Sequence, residues 1–333
     1  MRSLLAVDWP ADRFRVLVVA DNCTDGTSRE AALAGARVLV RTDDALRGKG
    51  YALALAIDHS LADRIADAVV VVDADTLVEP GLLCAFAARL ERGAQAVQAD
   101  YEVRNPQDGW RTRLMSVAFT LFHRVRSLGR ERLALSCGLR GNGMCFASSL
   151  LRQVPYAAFS LVEDVEYGLR IGEAGHRVWY ADEARAMGEM VSTSAASASQ
   201  RLRWEDGRRA LRLRAWSLAG RAWRNRDRVL AALAADLLVP PLSRLGALAA
   251  LGTLLSAGVF LAGGATYVLV PWAASLLFLL AYLARGWQLS GAGLAGRKAL
   301  AFAPVYLAWT LALRRSGVRP PGWVRTARHG EVP

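Results

Sequence analysis

Short apolar runs separated by charged and small polar residues fill the first two thirds of the chain. Phe14 to Ala20 (FRVLVVA) is a β-branched run ending in Asp21-Asn22, and Ala68 to Val72 (AVVVV) ends in Asp73-Ala74-Asp75. Runs of this length and composition predict buried parallel strands. Between them the pattern predicts a helix over Ser28–Ala34, a strand over Arg37–Val40 and a helix over Tyr51–Ser60. Strand, helix, strand, helix, strand is the order of a wound α/β sheet. Further on, Leu82–Arg92 predicts a helix and Ala96–Val103 a strand. Trp110–Glu131 predicts one long amphipathic helix, with Arg on one side and Leu, Phe and Val on the other. Both acidic clusters fall just past strand ends, which is where parallel sheets bind ligands.

The pattern changes beyond Val229. Acidic residues almost vanish and Leu, Ala, Val and Gly dominate. Crossing a membrane takes about 20 apolar residues. Gly246–Ala262, extended back through Leu242, meets that length, and Thr266–Ala284 is a second candidate. Gly263-Gly264 between them predicts a helical hairpin. A third segment, Ala299–Leu313, is shorter and carries Pro304. If it spanned, the tail with Arg314, Arg315, Arg319, Arg325 and Arg328 would lie outside, against the positive-inside tendency. Two spans and an interfacial third segment keep the basic flanks on one side.

Charge and composition refine this division. The net charge of +12 is carried mostly by Arg, densely so from Arg201 to Arg228, just ahead of the apolar region. A basic flank beside apolar spans marks the cytoplasmic membrane surface, and this reading is preferred to nucleic-acid binding. Genome composition is a second source of the same bias. Cys23, Cys84, Cys137 and Cys145 show no CxxC spacing, so they read as small buried residues in a reducing compartment. His59, His123, His176 and His329 are scattered and read as surface or packing residues. Met1–Leu5 is too short, and too soon followed by Asp8 and Pro10, to be a signal peptide.

Several motifs carry candidate chemistry. Asp73-Ala74-Asp75 offers two carboxylates one residue apart, the oxygen donors that a hard cation bridging to a diphosphate requires. Alone, the same pair reads equally well as solvated turn residues. Asp21 opens the stretch DNCTDGT, where a carboxylate can reach a base or ribose. Gly48-Lys49-Gly50 is a basic loop before a helix, without the Walker pattern. Glu163-Asp164 heads a helix, where it offers paired carboxylates or a simple helix cap. Gln200, Arg203 and Trp204, in QRLRW, place an amide, a guanidinium and an indole at the entrance of the membrane region; an interfacial anchor is the plainer reading.

Taken in order, this set resembles the family 2 glycosyltransferases of the GT-A fold, in particular membrane-embedded members related to cellulose, chitin and hyaluronan synthases. DNCTDGT resembles the family's first aspartate motif, GKGYAL its following loop, DAD its metal motif and VED its TED motif. QRLRW fits Q-x-x-R-W, and Trp323-Val324-Arg325-Thr326 resembles the family's tail. The resemblance implies an α/β GT-A nucleotide-sugar-binding sheet over 1–199, an interfacial region over 200–241 and a membrane region over 242–333. It implies Asp21 on the uracil or ribose with Lys49 nearby, Asp73 on the nucleotide and Asp75 on Mg²⁺ or Mn²⁺. It implies Asp164 as general base with Glu163 positioning it, and Gln200, Arg203 and Trp204 at the diphosphate and acceptor. Gly141-Asn142-Gly143 would border the donor sugar.

The implied reaction is inverting transfer from a UDP-sugar to a glycan or lipid-linked acceptor, giving a β linkage. The implied setting is an integral protein of a bacterial cytoplasmic membrane with its catalytic domain in the cytosol. The implied partners are membrane lipids and synthase subunits or a second copy of the chain, with no nucleic acid. The family's opening strand and its Asn-Glu motif do not precede Arg2–Pro10, which resembles the helix that follows that strand. This departure implies a mis-assigned start or a truncated gene. It also carries the alternative reading, an inactive member serving as a membrane-bound scaffold or binding subunit.

Overall fold

The computed structural model describes residues 1–190, 194–306 and 308–309, with the backbone alone for 194–205 and 208. After helix α1 (Arg2–Leu5), strand β1 (Leu17–Asp21), helix α2 (Thr27–Leu33), strand β2 (Arg37–Arg41) and helix α3 (Lys49–Leu61) follow the expected order. β1 and β2 pair in parallel, Leu17 opposite Arg37 and Asp21 opposite Arg41. They form a two-stranded sheet of their own. β3 (Ala68–Val71) belongs to a second sheet, so the single wound sheet expected from the three runs is replaced by two.

The second sheet has the order β3-β6-β5-β7-β4, with β4 at Thr76–Val78, β5 at Ala96–Val103, β6 at Met144–Ala147 and β7 at Val178–Gly188. It is mixed. β3 runs antiparallel to β6, β6 antiparallel to β5, and β7 antiparallel to β4; only β5 and β7 run parallel. The reason the runs misled is that an apolar strand announces its burial and says nothing of its partner. Ala68 of β3 finds Ala147 of β6, far along the chain.

Both faces of this sheet are covered, which explains its near-continuous apolar strands. On one face Ile57 of α3, Leu150 and Leu151 of α7 (Ser148–Gln153), and Tyr167 and Ile171 of α8 (Glu163–Glu173) pack on Ala96, Met144 and Phe146. On the other, Leu82 and Phe86 of α4 (Leu82–Glu91) pack on Val97, Cys145 and Ala181, with Val7 beside them. Successive residues of β5 and β6 thus serve opposite cores. All four cysteines are free; Cys137 and Cys145 are buried as expected, whereas Cys23 and Cys84 are exposed on loop and helix surfaces.

The long helix from Trp110 is interrupted. It runs as α5 (Trp110–Phe119), a π-helical segment (Thr120–Val125) and α6 (Arg126–Arg132). A π-bulge releases backbone carbonyls from their usual partners. The Tyr282 hydroxyl donates to the carbonyl of Leu121 at 2.7 Å. Tyr282 lies on α12 (Val270–Leu289), so the bulge ties the sheet domain to the C-terminal helices.

α9 (Ser194–Asn225) leads into α10 (Arg228–Leu238), which is capped by Asp227 accepting from the Leu230 amide at 3.0 Å. α11 (Leu242–Leu261) and α12 then pack against each other across the Gly263-Gly264 turn, followed by α13 (Gly293–Leu300). Two stretches, Leu242–Leu261 and Thr266–Leu289, are long and apolar enough to cross a membrane, and almost none of their length is buried. The third apolar segment runs past residue 309, and Trp323–Thr326 lies outside the described residues.

Candidate active site

Lys49 is the centre of the site. Gly48, at φ +133°, turns the chain so that Lys49 opens α3. Gly50 presses on the backbone of Ala158, where a Cβ would lie 2.1 Å from the carbonyl oxygen. Tyr51 stacks on Phe159 with ring centroids 4.4 Å apart. The GKG loop is thereby fixed against the segment that leads into α8. The Lys49 ammonium donates to Asp73 Oδ1 and to the Gly141 carbonyl, each at 2.5 Å, and stands 3.8 Å from Glu163 Oε1. One cation therefore joins the GKG loop, the DAD turn, the GNG loop and the VED helix.

The GNG loop is built to reach this point. Gly141 and Gly143 adopt φ +79° and +65°, which an L side chain resists. A Cβ on Gly141 would lie 3.5 Å from Asp164 Oδ2, and one on Gly143 would meet Ala99 Cβ at 2.9 Å. Between them buried Asn142 accepts from the Asp73 amide at 3.1 Å and donates to Thr76 Oγ1 at 2.6 Å. Gln98 secures the loop from beneath, donating to the Asn142 carbonyl and accepting from the Arg140 amide, both at 2.8 Å.

Electrostatics follow from this crowding. Burial by itself would lower the Lys49 pKa, but Asp73, Glu163 and Asp164 raise it above its ordinary value, so it stays a cation. Burial first, and then the charge of Asp164, push the Glu163 carboxyl up to about 7, with Lys49 opposing. Burial and the charges of Asp73 and Asp75 raise the Tyr101 phenol, which faces the DAD turn. Glu163 and Asp164 are the first two residues of α8. The N-cap is Val162, without a side-chain cap bond, so the simple capping alternative does not describe these carboxylates.

Asp73 and Asp75 supply hard oxygen donors. Among the described residues no group of three or more His, Cys, Asp or Glu is placed to hold a metal by itself. Two carboxylates beside a lysine suit a hard divalent cation whose remaining ligands come from phosphate and water. The donor set fits Mg²⁺ or Mn²⁺ on those terms.

Asp21 is held by Arg41 at 2.7 Å rather than by Lys49, and the same guanidinium reaches Asp43 at 3.1 Å and the Leu46 carbonyl at 2.6 Å. Gln200, Arg203 and Trp204 fall on the first turns of α9, where the backbone alone is described. Gly207, one turn on, packs on Val162, with a Cβ position 2.6 Å from Val162 Cγ1. The helix of the QRLRW motif is thus seated against the residue that precedes Glu163.

The match to known families decides the class. Residues 1–207, well over half the chain, match the family described as glycosyltransferase like family 2. The chain belongs to this family. Among curated proteins no match is found. Solved structures to which the chain is similar include S. aureus TarS, at 18% identity and TM-score 0.41, covering 66% of this chain and 36% of that one. A structure of S. aureus TarS 1-349 is similar at 18% identity and TM-score 0.40, covering 66% of this chain and 60% of that one. Another, TarS 1-349 in complex with UDP, is similar at 17% identity and TM-score 0.43, covering 99% and 92%. In the first two of these matches the chain spans about a third and 60% of the other protein's length. Likenesses this distant carry no argument about ligand or mechanism.

In this family member several site residues escaped the sequence motifs. Arg41, Gln98, Tyr101 and Arg140 come from unremarkable stretches. Arg140 is buried, lies 4.2 Å over the Phe122 ring, donates to the Cys137 carbonyl at 2.7 Å and feels the charge of Asp164. Its only signal was position, immediately before Gly141-Asn142-Gly143.

Proposed function

We propose that the chain is a membrane-bound inverting enzyme that moves a sugar from a UDP-sugar to a glycan or lipid-linked acceptor, with a β linkage. The observation that carries this reading is the meeting of four separated motifs around the Lys49 ammonium. Asp164, beside Gly141 and in the field of Lys49, takes the acceptor hydroxyl proton. The acceptor oxygen then bonds to the anomeric carbon as the bond to UDP breaks, and the configuration inverts. Asp75, with Asp73, would hold Mg²⁺ or Mn²⁺, which when bound neutralises leaving-group charge. Lys49 holds Asp73 in place and adds positive potential where the diphosphate leaves. Asp21, oriented by Arg41, binds the base or ribose. Gln200, Arg203 and Trp204 serve the diphosphate and acceptor, and the two apolar helices hold the chain in the bilayer.

The test is UDP release from a panel of UDP-sugars by the detergent-purified chain, with Asp164→Asn alongside. Release with one donor, lost on chelation and lost in the variant while UDP still binds, is the expected result. Equal release by Asp164→Asn would remove Asp164 from the chemistry. UDP binding without release from any donor or acceptor would favour the scaffold alternative.

A further inference from the structure

We propose that α9 is an amphipathic anchor lying on an anionic lipid surface through a ridge formed by Leu213, Trp216 and Trp223. A helix in a soluble domain buries one apolar stripe and turns a polar one to water. α9 has two apolar stripes on opposite sides. Leu211, Ala215, Leu218 and Ala222 recur at helical spacing and are buried against Leu230, Leu233 and Leu237 of α10 and Leu169 of α8. Half a turn away stand Leu213, Trp216 and Trp223, with relative exposures of 84%, 71% and 86%. Gly220 lies between the two indoles and Arg209 and Arg224 flank the stripe, all three exposed. Among the described residues none covers this second stripe.

The charge pattern selects the occupant. Between Asp206 and Asp227 the sequence has seven arginines and no acidic residue. Arg214 and Arg221 are turned inward to Glu173, at 3.1 and 2.8 Å, whereas Arg209 and Arg224 are exposed on α9 and Arg226 is exposed just past its end. Indoles at headgroup depth with guanidinium groups on phosphates are what an anionic interface accommodates. α9 also leads through α10 directly into the apolar α11 and α12. The inference rests on the bilayer reading of those two helices and not on the transfer chemistry.

The full chain, labelled with 5-fluorotryptophan, is placed in nanodiscs of phosphatidylcholine with and without phosphatidylglycerol. The ¹⁹F signals of Trp216, Trp223 and Trp272 are assigned by single Trp→Phe changes. Trp272, packed on Gly252 of α11, reports insertion of the apolar helices separately. The expected result is broadening of Trp216 and Trp223 by a nitroxide near the headgroups, increased by phosphatidylglycerol, with shielding from a water-soluble paramagnetic chelate. Broadening of both by the chelate instead would overturn the proposal, because the ridge would then face water. Shielding from chelate and lipid alike would also overturn it, by showing that protein, such as a second copy, covers the ridge. Loss of lipid broadening at Trp272 alone would count against the spans while leaving the result at α9 readable.

Discussion

Lys49 sets the balance of charge in the site, one cation facing Asp73, Glu163 and Asp164. A single lysine does not neutralise three carboxylates, and the buried Glu163 carboxyl is pushed well above the usual glutamate range. The ordinary glutamate value is 4.5 and the folded value is about 7. Between those values the folded chain keeps a proton that the unfolded chain has lost, so stability falls as pH rises across that window. Glu163→Gln should therefore raise Tm at pH 8 and leave it unchanged near pH 4. The gain is at most about 3–4 kcal/mol, from about 1.4 kcal/mol per pKa unit; an unchanged Tm at pH 8 would contradict the buried-acid account. Gly143→Ala acts through shape. Its φ of +65° and the 2.9 Å approach to Ala99 leave no room for a methyl group. A loss of about 2–3 kcal/mol is expected from denaturant unfolding, together with misplacement of Asn142.

At the scale of elements, the interrupted helix is the informative case. The amphipathic pattern of Trp110–Glu131 correctly announces continuous helix, yet the π turn at Thr120–Val125 leaves no mark in that pattern. The Leu121 carbonyl accepts from the Arg126 amide within the bulge and from Tyr282 as a second donor, and Leu121 fits against Gly286, where a Cβ would approach within 2.3 Å. Tyr282→Phe should cost about 0.5–1.5 kcal/mol, the usual net worth of one hydrogen bond. Hydrogen exchange should quicken across Thr120–Val125 in that variant; unchanged protection there would remove Tyr282 as the bulge's support. α6 is held to α10 independently, through Asp236 paired with Arg126 and, at 2.9 Å, with Arg130.

For the whole molecule, the two apolar helices present most of their side chains outward, including Leu254, Leu261, Leu277 and Phe278. Exposed apolar area on this scale is unfavourable in water by about 25 cal/mol per Å² and is relieved in lipid. The chain should therefore sediment with membranes and stay there through alkaline carbonate extraction, whereas detergent releases it. Release by carbonate alone would mean peripheral attachment through basic residues, without spans. High salt should loosen α9 from the surface without freeing the chain, since screening acts on the arginines and leaves the apolar helices untouched.

The amino-acid sequence by itself determined the local matters. Periodicity located β1, β2, β3, β5 and their intervening helices to within a few residues, because apolar spacing is a property of neighbouring positions. The glycine loop at Gly48 and the acidic strand ends were legible from neighbouring residues too, whereas the Gly141 loop was expected only from the family resemblance. Pairing and assembly belonged to the tertiary structure. The separation of β1–β2 from the mixed sheet, the partnership of β3 with β6, and the short strands β4 and β6 all depend on contacts between distant segments. The same holds for the site. Each motif could be read on its own, but the choice of Lys49 as the common partner of Asp73, Gly141 and Glu163, of Arg41 as the partner of Asp21, and of Arg140 as a buried neighbour was made only by packing. A side chain's charge is written in the sequence, and which opposite charge it meets is decided by where the chain returns.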